Sequence, residues 1–204
     1  MAIRFISKAT VKNKLPRSSN IWDGTAVYNP YTLVGNYDAL ATVTVPSGGL
    51  TSITFAGIPT TGYTHLQVRG IYRYTTALDI LAMQLNSDTA ANYSSHKIFG
   101  DGSGASAGGS ASVSKMDLGY IMNSSTGYGA AVVDILDYTN TTKAKTVRAL
   151  SGTDLNGSGY INLNSSAWYN NTSSVYPAIN SIKIYPDSGT FAEYSQFALY
   201  GVKA

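Results

Sequence analysis

Short segments in which apolar and polar residues alternate, separated by turn-forming residues, recur along most of this chain. In residues 63–74, Leu66, Val68 and Tyr72 fall on one side of an extended strand, and Arg69 falls on the other. Such alternation predicts half-buried β-strands. We expect further strands at residues 39–45, 50–56, 78–85, 93–99, 116–122, 129–138, 145–151, 160–163, 179–185 and 194–202. No long stretch has the apolar spacing of an amphipathic helix. The pattern therefore predicts an all-β chain, a single antiparallel β-sandwich of jelly-roll type.

The expected domain organisation rests on length and on local composition. At 204 residues, a β-sandwich commonly stays undivided. Residues 1–37 contain two prolines and two glycines that interrupt regular structure. We interpret them as an extended basic N-terminal arm and lead-in, followed by a β-sandwich domain at 38–204. Within that domain, residues 100–112 (GDGSGASAGGSAS) are expected to form a long mobile loop and not a boundary between domains.

Positive charge is concentrated at the N-terminus. Positions 1–17 hold no acidic residue and five basic ones, Arg4, Lys8, Lys12, Lys14 and Arg17. The whole chain has 14 Lys and Arg against 11 Asp and Glu, so residues 18–204 keep nine basic and eleven acidic side chains. The chain has no Cys, which excludes disulfides and thiolate zinc sites. A basic arm in front of a nearly neutral body indicates that the arm docks onto a partner.

Three kinds of partner suit a basic arm. Nucleic acid would meet it through phosphate contacts, but the five charges are dispersed and have no folded reader. An anionic membrane would require an amphipathic helix, which Phe5 and Ile6 do not form with their neighbours. An acidic protein surface would hold the arm as an ordered strap. We favour the protein surface, and we expect neither a nucleic-acid partner nor a membrane partner.

Candidate catalytic residues are few. The two histidines, His65 and His96, are not accompanied by a nucleophile motif such as G-x-S-x-G. Glu193 is the only glutamate, whereas glycoside hydrolases generally use two facing carboxylates. Asp134 and Asp137 have an odd spacing, which would place them on opposite faces of one strand. We therefore expect no enzyme activity and no cofactor.

A loose cluster of oxygen ligands raises the question of a calcium site. Asn86, Asp88, Asn92 and Asp101 surround a turn-like stretch, but their spacing does not match an EF-hand loop. Asn and Asp are also the usual residues of turns. We prefer the turn interpretation and expect no metal.

The aromatic residues are the more suggestive feature. The chain has 16 tyrosines and two tryptophans, and Trp168 and Tyr169 begin a turn-like stretch, WYNN. In an exposed loop, these two side chains would contact a glycan or another subunit. At the end of a strand, they would instead close the core of the sandwich. The sequence leaves both interpretations open.

Several segments together carry a family resemblance. They are residues 63–70 (YTHLQVRG), 85–93 (LNSDTAANY), 100–103 (GDGS), 133–138 (VDILDY), 145–152 (KTVRALSG) and 194–203 (YSQFALYGVK). In these segments the chain resembles bacteriophage virion structural proteins that contain a β-sandwich, jelly-roll-like module of the capsid-decoration or tail-fibre type. The resemblance spans roughly residues 38–204 and does not obviously include the arm. It brings no established functional residues to carry across.

The resemblance implies a non-enzymatic structural protein of a phage virion, assembled in the host cytoplasm and docked through its arm onto the capsid or the tail. Other virion proteins and further copies of the chain are the expected partners. The alternative is a carbohydrate-binding tail adhesin or fibre module that recognises a host surface glycan. An enzyme that acts on cell-surface polysaccharide is the least favoured of the three.

Overall fold

The computed structural model describes residues 36–76, 78–122, 127–171 and 175–203. The five basic residues of the arm, Arg4, Lys8, Lys12, Lys14 and Arg17, lie outside the described residues. The described part of the chain is built from twelve β-strands and contains no helix. Accordingly, none of its elements is a helix that is long and apolar enough to cross a membrane. The predicted all-β class is confirmed.

Alternating burial along the strands follows the alternation in the sequence. On the third strand, the side chains predicted to share a face, Leu66, Val68 and Tyr72, are all buried, and Arg69 is exposed. The twelve strands are β1 Tyr37–Thr44, β2 Ile53–Ala56, β3 His65–Tyr72, β4 Leu78–Leu85, β5 Tyr93–Gly100, β6 Ala105–Val113, β7 Met116–Met122, β8 Gly129–Leu136, β9 Lys145–Asp154, β10 Gly159–Trp168, β11 Ser181–Pro186 and β12 Gln196–Val202.

The strands form two antiparallel sheets that pack as a β-sandwich. The large sheet has eight strands in the order β1-β12-β3-β8-β9-β10-β5-β6, and the small sheet has four in the order β2-β11-β4-β7. The last strand of the chain, β12, lies between β1 and β3 and so ties the end of the domain to its beginning. The finer jelly-roll topology stays a prediction.

An aromatic cluster and aliphatic side chains fill the space between the sheets. Tyr72 stacks on Phe197 with ring centroids 5.1 Å apart, and Phe191 lies 4.9 Å from Phe197 in a tilted arrangement. Ile182 and Ile184 of β11 are buried on the facing sheet. This part of the core is stabilised by burial of apolar surface.

The interior between β7 and the strands β9 and β10 also contains buried polar side chains, beside apolar ones such as Leu118. Asn162 and Asn164 of β10 and Ser151 of β9 are buried, and each side chain donates a hydrogen bond to a backbone carbonyl of β7. Because β7 ends the small sheet, these side chains occupy backbone groups that no further strand pairs. Hydrogen bonding of this kind offsets the cost of burying polar groups, although the buried Oδ1 of Asn164 has no hydrogen-bond partner.

The expectation of a mobile loop at residues 100–112 is wrong. Residues from Ala105 to Val113 form strand β6, which pairs antiparallel with β5 at the end of the large sheet. Ser, Gly and Ala are typical of flexible linkers, but here the pairing with β5 holds their backbone. The strands β9 and β10 are also longer than predicted, because each continues to pair with the other beyond its apolar segment.

Candidate interaction surface

The outer side of the large sheet carries large apolar side chains that face away from the core. Six of them are between 38% and 65% exposed. They come from five neighbouring strands, β3, β8, β9, β10 and β5, and we call them the aliphatic face: Ile71, Ile98, Val132, Leu150, Ile161 and Leu163. On an antiparallel sheet, the outward positions normally carry polar residues. The aliphatic face is therefore the surface of this domain that most needs an explanation.

Strand register places the aliphatic face in two adjacent rows. The upper row contains Ile71, Ala130, Gly152, Ile161 and Gly100, paired in that order from β3 to β5. Residues of one row come from successive strands and lie side by side. The two isoleucines of this row are separated by the small residues Ala130 and Gly152, which leave a hollow between the isoleucine ridges.

The lower row is a continuous ridge. It runs through Arg69, Val132, Leu150, Leu163 and Ile98, again from β3 to β5. Only the first residue of the row is charged. Each lower-row residue is two positions along its strand from a residue of the upper row, which puts the two rows about 7 Å apart. The two rows together make one contiguous apolar surface.

The hollows are measurable features of the surface. One open hollow of about 270 Å³ is lined by Ala130, Val132, Leu150, Gly152 and Ile161. A second, of about 500 Å³, is also bordered by Gly152 and Ile161 and is lined in part by Gly100 and Gly157. Gly152 cannot be enlarged without a shift, because a Cβ there would press on the backbone of Tyr160 and Ile161. The hollow beside Ile161 therefore depends on the absence of a side chain at Gly152.

A fixed polar group borders the aliphatic face on the β3 side. The guanidinium of Arg69 lies over the rings of Tyr37 and Tyr200, at 5.4 and 5.0 Å from their centroids. Its Nε donates to Oε1 of Gln67 at 2.6 Å, and Nε2 of Gln67 donates to Oδ1 of Asp134 at 2.7 Å. Cation–π contacts and hydrogen bonds of this kind hold long side chains in one orientation. The charged border is therefore ordered.

Strand β6 forms the opposite border and the end of the large sheet. Apart from Val113, it consists only of Ala, Ser and Gly, and its first eight residues are exposed. Its outward positions Ala105, Ala107 and Gly109 continue the upper row, the lower row and the next row along the sheet. The aliphatic face thus ends in a low shelf without large side chains.

Of the two interpretations that the sequence leaves open for Trp168, the structure supports closure of the core and contradicts contact with a glycan or another subunit. Trp168 is the last residue of β10, is only 1% exposed, and stacks against Tyr93 with centroids 6.4 Å apart. Its Nε1 donates to Oδ2 of Asp88 at 2.7 Å. A buried ring cannot stack on a sugar, so Trp168 belongs to the core. Tyr169, the next residue, is 54% exposed and remains available for contact.

The supposed oxygen-ligand cluster forms turns. Asn86 has a positive φ of 52°, and its side chain donates to the backbone carbonyl of Ala178. Asp88 accepts hydrogen bonds from Asn92 and Asn170 in addition to Trp168. Asp101 caps its own turn and accepts from the backbone of Ser103 and Gly104. Among the described residues, no group of three His, Cys, Asp or Glu side chains is placed to hold a metal ion.

Of the histidine and aspartate candidates, His65 and Asp137 lie in contact, with His65 Nδ1 3.5 Å from Asp137 Oδ1, whereas His96 and Asp134 lie apart. His65 accepts a hydrogen bond at Nδ1 from the backbone N–H of Asp137, at 2.9 Å. His96 is exposed on the outer side of β5, three strands from Asp134 on β8. Asp137 lies beyond the end of β8 with a positive φ of 48°, so it is a turn residue and not part of the strand.

Basic side chains surround Asp137. A hydrogen bond from Lys143 is the main reason why the pKa of Asp137 is held below its usual range. Lys145 is almost completely buried and donates to the backbone carbonyl of Asn140. Burial lowers the pKa of this lysine. These contacts join the end of β8 to the start of β9. The charges of Asp137, Lys143 and Lys145 therefore stabilise the loop between the two strands.

The sequence signal for the aliphatic face was present but not used. Ile161 and Leu163 alternate with Asn162 and Asn164, a pattern that by itself would favour outward asparagines. In the structure β10 has the opposite orientation, because the asparagines bind β7. Outward leucine and isoleucine opposite inward asparagine is the pattern that would have revealed the surface.

Comparison with known proteins adds no assignment. No family model, no curated protein and no solved structure matches this chain.

Proposed function

We propose that this chain is a non-enzymatic structural protein of a bacteriophage virion, docked through its N-terminal arm onto the capsid as a decoration or cement protein, or onto the tail. The proposed setting is the virion, assembled in the host cytoplasm, with other virion proteins as partners and without a nucleic-acid, membrane or cofactor partner. The observation that carries the proposal is the aliphatic face, which has the character of a protein–protein contact surface.

The size and composition of the surface support an assembly role. With the usual surface areas of Ile, Leu and Val, the six exposed side chains present roughly 600 Å², at the upper end of the largest patch on a typical monomer. The centre of the face carries no charged side chain, and depletion of charge is the compositional mark of interface cores. The family resemblance over residues 38–204 supplies the virion as the setting.

The experiment that tests the proposal locates the protein on intact phage particles. Labelled antibody viewed by electron microscopy is expected to mark the head or the tail, and deletion of residues 1–17 is expected to remove the label while the sandwich stays folded. A full-length variant in which the five basic residues of the arm are replaced by Gln is the matched control, because it separates charge from length. The proposal fails if particles carry no label, and the docking role of the arm fails if the truncated protein still decorates them.

A glycan-binding adhesin is the second candidate, and the exposure of Tyr169 favours it. This ring follows β10 and is next to Asn170, whose Nδ2 donates to Asp88 at 3.0 Å. An exposed aromatic ring beside amide groups is a usual platform for sugar. Tyr169→Ala is expected to abolish binding to host cells if this surface binds glycan. Unchanged binding of that variant would remove the candidate.

A further inference from the structure

We propose that two copies of this chain pair face to face through the aliphatic face, about a two-fold axis that runs parallel to the strands between β9 and β10. This inference deepens the proposed function by naming one partner. It rests on the proposed function for its biological setting only, since its geometry comes from the strand register.

Symmetry determines which residues meet. A two-fold axis parallel to the strands keeps every residue at its height along the strand and reverses the order of the strands. Each row therefore faces the same row of the second copy. With the axis between β9 and β10, β9 lies opposite β10 of the partner, β8 opposite β5, and β3 opposite β6. Aligned sheets of a sandwich pack in this manner, within about 30° of parallel.

The upper row is complementary in size under this operation. Gly152 of each copy faces Ile161 of the other, and Ile71 faces Ala105. Each isoleucine ridge thus meets a small residue. The open hollow that Ile161 borders also contains Gly152, so the incoming isoleucine has a place to enter. Interdigitation of ridges and hollows is what well-packed interfaces require.

The lower row forms the apolar centre. Leu150 faces Leu163 of the second copy, and Val132 faces Ile98. Arg69 meets Ala107 on the low shelf of β6, where no large or charged side chain opposes it. All six side chains of the aliphatic face are covered.

The next row supports the same pairing through charge. On each copy, Asp134, Arg148, Ser165 and His96 follow one another from β8 to β5. The symmetry places Asp134 opposite His96 of the second copy and Arg148 opposite Ser165. No like charges meet, and a carboxylate faces an imidazole at both ends of the contact. Such complementarity favours a specific partner.

Shifting the axis by one strand spoils the fit. An axis between β8 and β9 would press Arg69 against Leu163 of the partner. An axis between β10 and β5 would leave Ile71 and Val132 uncovered. The aliphatic face supplies roughly 600 Å² of the about 800 Å² that each partner buries in a standard interface, and the polar row beside it adds to this area. A second copy is thus the occupant that this surface fits.

The first test is the oligomeric state of the full-length chain. Sedimentation equilibrium at micromolar concentration is expected to give twice the mass of the chain. Leu150→Asp is expected to give the monomer, with far-UV circular dichroism and thermal unfolding like those of the parent. Thr54→Asp is the matched control, because Thr54 is exposed on the outer side of β2 in the small sheet, and it is expected to remain a dimer. A monomeric parent, or a dimeric Leu150→Asp variant, overturns the proposal.

The second test identifies the axis. The chain has no Cys, so an introduced thiol has no competitor. Val132→Cys mixed with Ile98→Cys is expected to give a covalent dimer with a short bis-maleimide cross-linker, because facing sheets lie about 10 Å apart, too far for a direct disulfide. Neither variant alone is expected to cross-link, since identical positions lie three strands, or about 14 Å, apart across the contact.

The cross-linking test has one control pair. Val132→Cys mixed with Thr54→Cys is expected to stay monomeric on a denaturing gel. A dimer that fails to cross-link through positions 132 and 98, or that cross-links equally through the control pair, rules out this interface. Both tests use isolated protein. Failure of the dimer therefore leaves particle attachment to be judged separately, and a dimer without attachment to particles would reject only the virion role.

Discussion

The side-chain amide of Asn162 pairs with the backbone of Tyr120 as a neighbouring strand would. Its Nδ2 donates to the carbonyl of Tyr120 at 2.8 Å, and its Oδ1 accepts from the N–H of Tyr120 at 3.0 Å. Asn162 belongs to the large sheet and Tyr120 to the last strand of the small one. The two sheets are thus joined by hydrogen bonds where their interior is polar.

Replacing Asn162 tests this connection. Asn162→Ala leaves both backbone groups of Tyr120 without their partner in a region closed to water, which is expected to cost about 2–4 kcal/mol of unfolding free energy. Ser165→Ala, on the exposed side of the same strand, is expected to change stability by less than about 0.5 kcal/mol. Urea unfolding of both variants measures the difference. Equal stabilities would show that water replaces the amide.

Gly70 is expected to tolerate no side chain. A Cβ at Gly70 would lie 2.6 Å from the ring of Phe197, and the ring is itself packed against Tyr72 and Phe191. Gly70→Ala is therefore expected to destabilise the domain by about 1–3 kcal/mol through overpacking. Gly104→Ala is the control, since a Cβ there meets nothing within 4 Å. Similar melting temperatures for the two variants would contradict this account of the core.

Truncation to Ala is expected to lower stability strongly at Trp168 and hardly at all at the adjacent Tyr169. Trp168→Ala empties a buried site next to Tyr93 and is expected to cost about 3–5 kcal/mol. Tyr169→Ala removes a largely exposed ring and is expected to stay within about 0.5 kcal/mol of the parent. Thermal unfolding of each variant separates core from surface. A large loss for Tyr169→Ala would mean that its ring has a structural partner.

Asp88 is expected to make the fold sensitive to acid. Burial by itself would raise the pKa of Asp88, but hydrogen bonds from Asn92, Trp168 and Asn170, with one from the backbone of Ala90, outweigh it and hold the pKa below its ordinary value of 3.8. A carboxyl with a lowered folded-state pKa binds protons more readily in the unfolded chain. Its stabilisation is therefore complete above pH 3.8 and is lost as the pH falls through the lower folded-state pKa.

The variant Asp88→Asn isolates this contribution. We expect it to be less stable than the parent at neutral pH, because a carboxylate accepts hydrogen bonds more strongly than an amide. We also expect the difference to shrink as the pH falls below 3.8, since protonation removes the advantage of the parent. Chemical unfolding at a series of pH values measures both. Parallel pH profiles for the two proteins would show that Asp88 does not titrate on unfolding.

Strand positions were predictable because they depend on local alternation. The segment 78–85 was predicted as a strand, and β4 occupies those residues with Leu81, Met83 and Leu85 all buried. Ile53 and Phe55, two positions apart in the predicted strand 50–56, likewise point into the core. In each case, the positions of the apolar residues indicate which face of the strand is buried.

Strand β6 and Trp168 were not predictable from local pattern. Residues 105–113 have neither β-branched side chains in number nor a clear apolar face, and they are a strand because β5 offers its backbone for pairing. Trp168 precedes a turn-like sequence, and its burial depends on Asp88 and Tyr93, which are some 80 positions earlier in the chain. Contacts between residues that are far apart in the chain cannot be predicted from the pattern of a short sequence segment.

By itself, the sequence determined the all-β class, the positions of most strands and their inward apolar side chains, since these follow from the two-residue period of an extended chain. Only the tertiary structure decided the orientation of β10. One face of this strand carries aliphatic side chains that burial would stabilise, and the other carries asparagines that can hydrogen-bond to buried backbone. Asparagines turn inward to satisfy the open strand β7, and Ile161 and Leu163 are left outside. The gain from hydrogen-bonding buried backbone outweighs the exposure of two aliphatic side chains. The aliphatic face exists because of that choice.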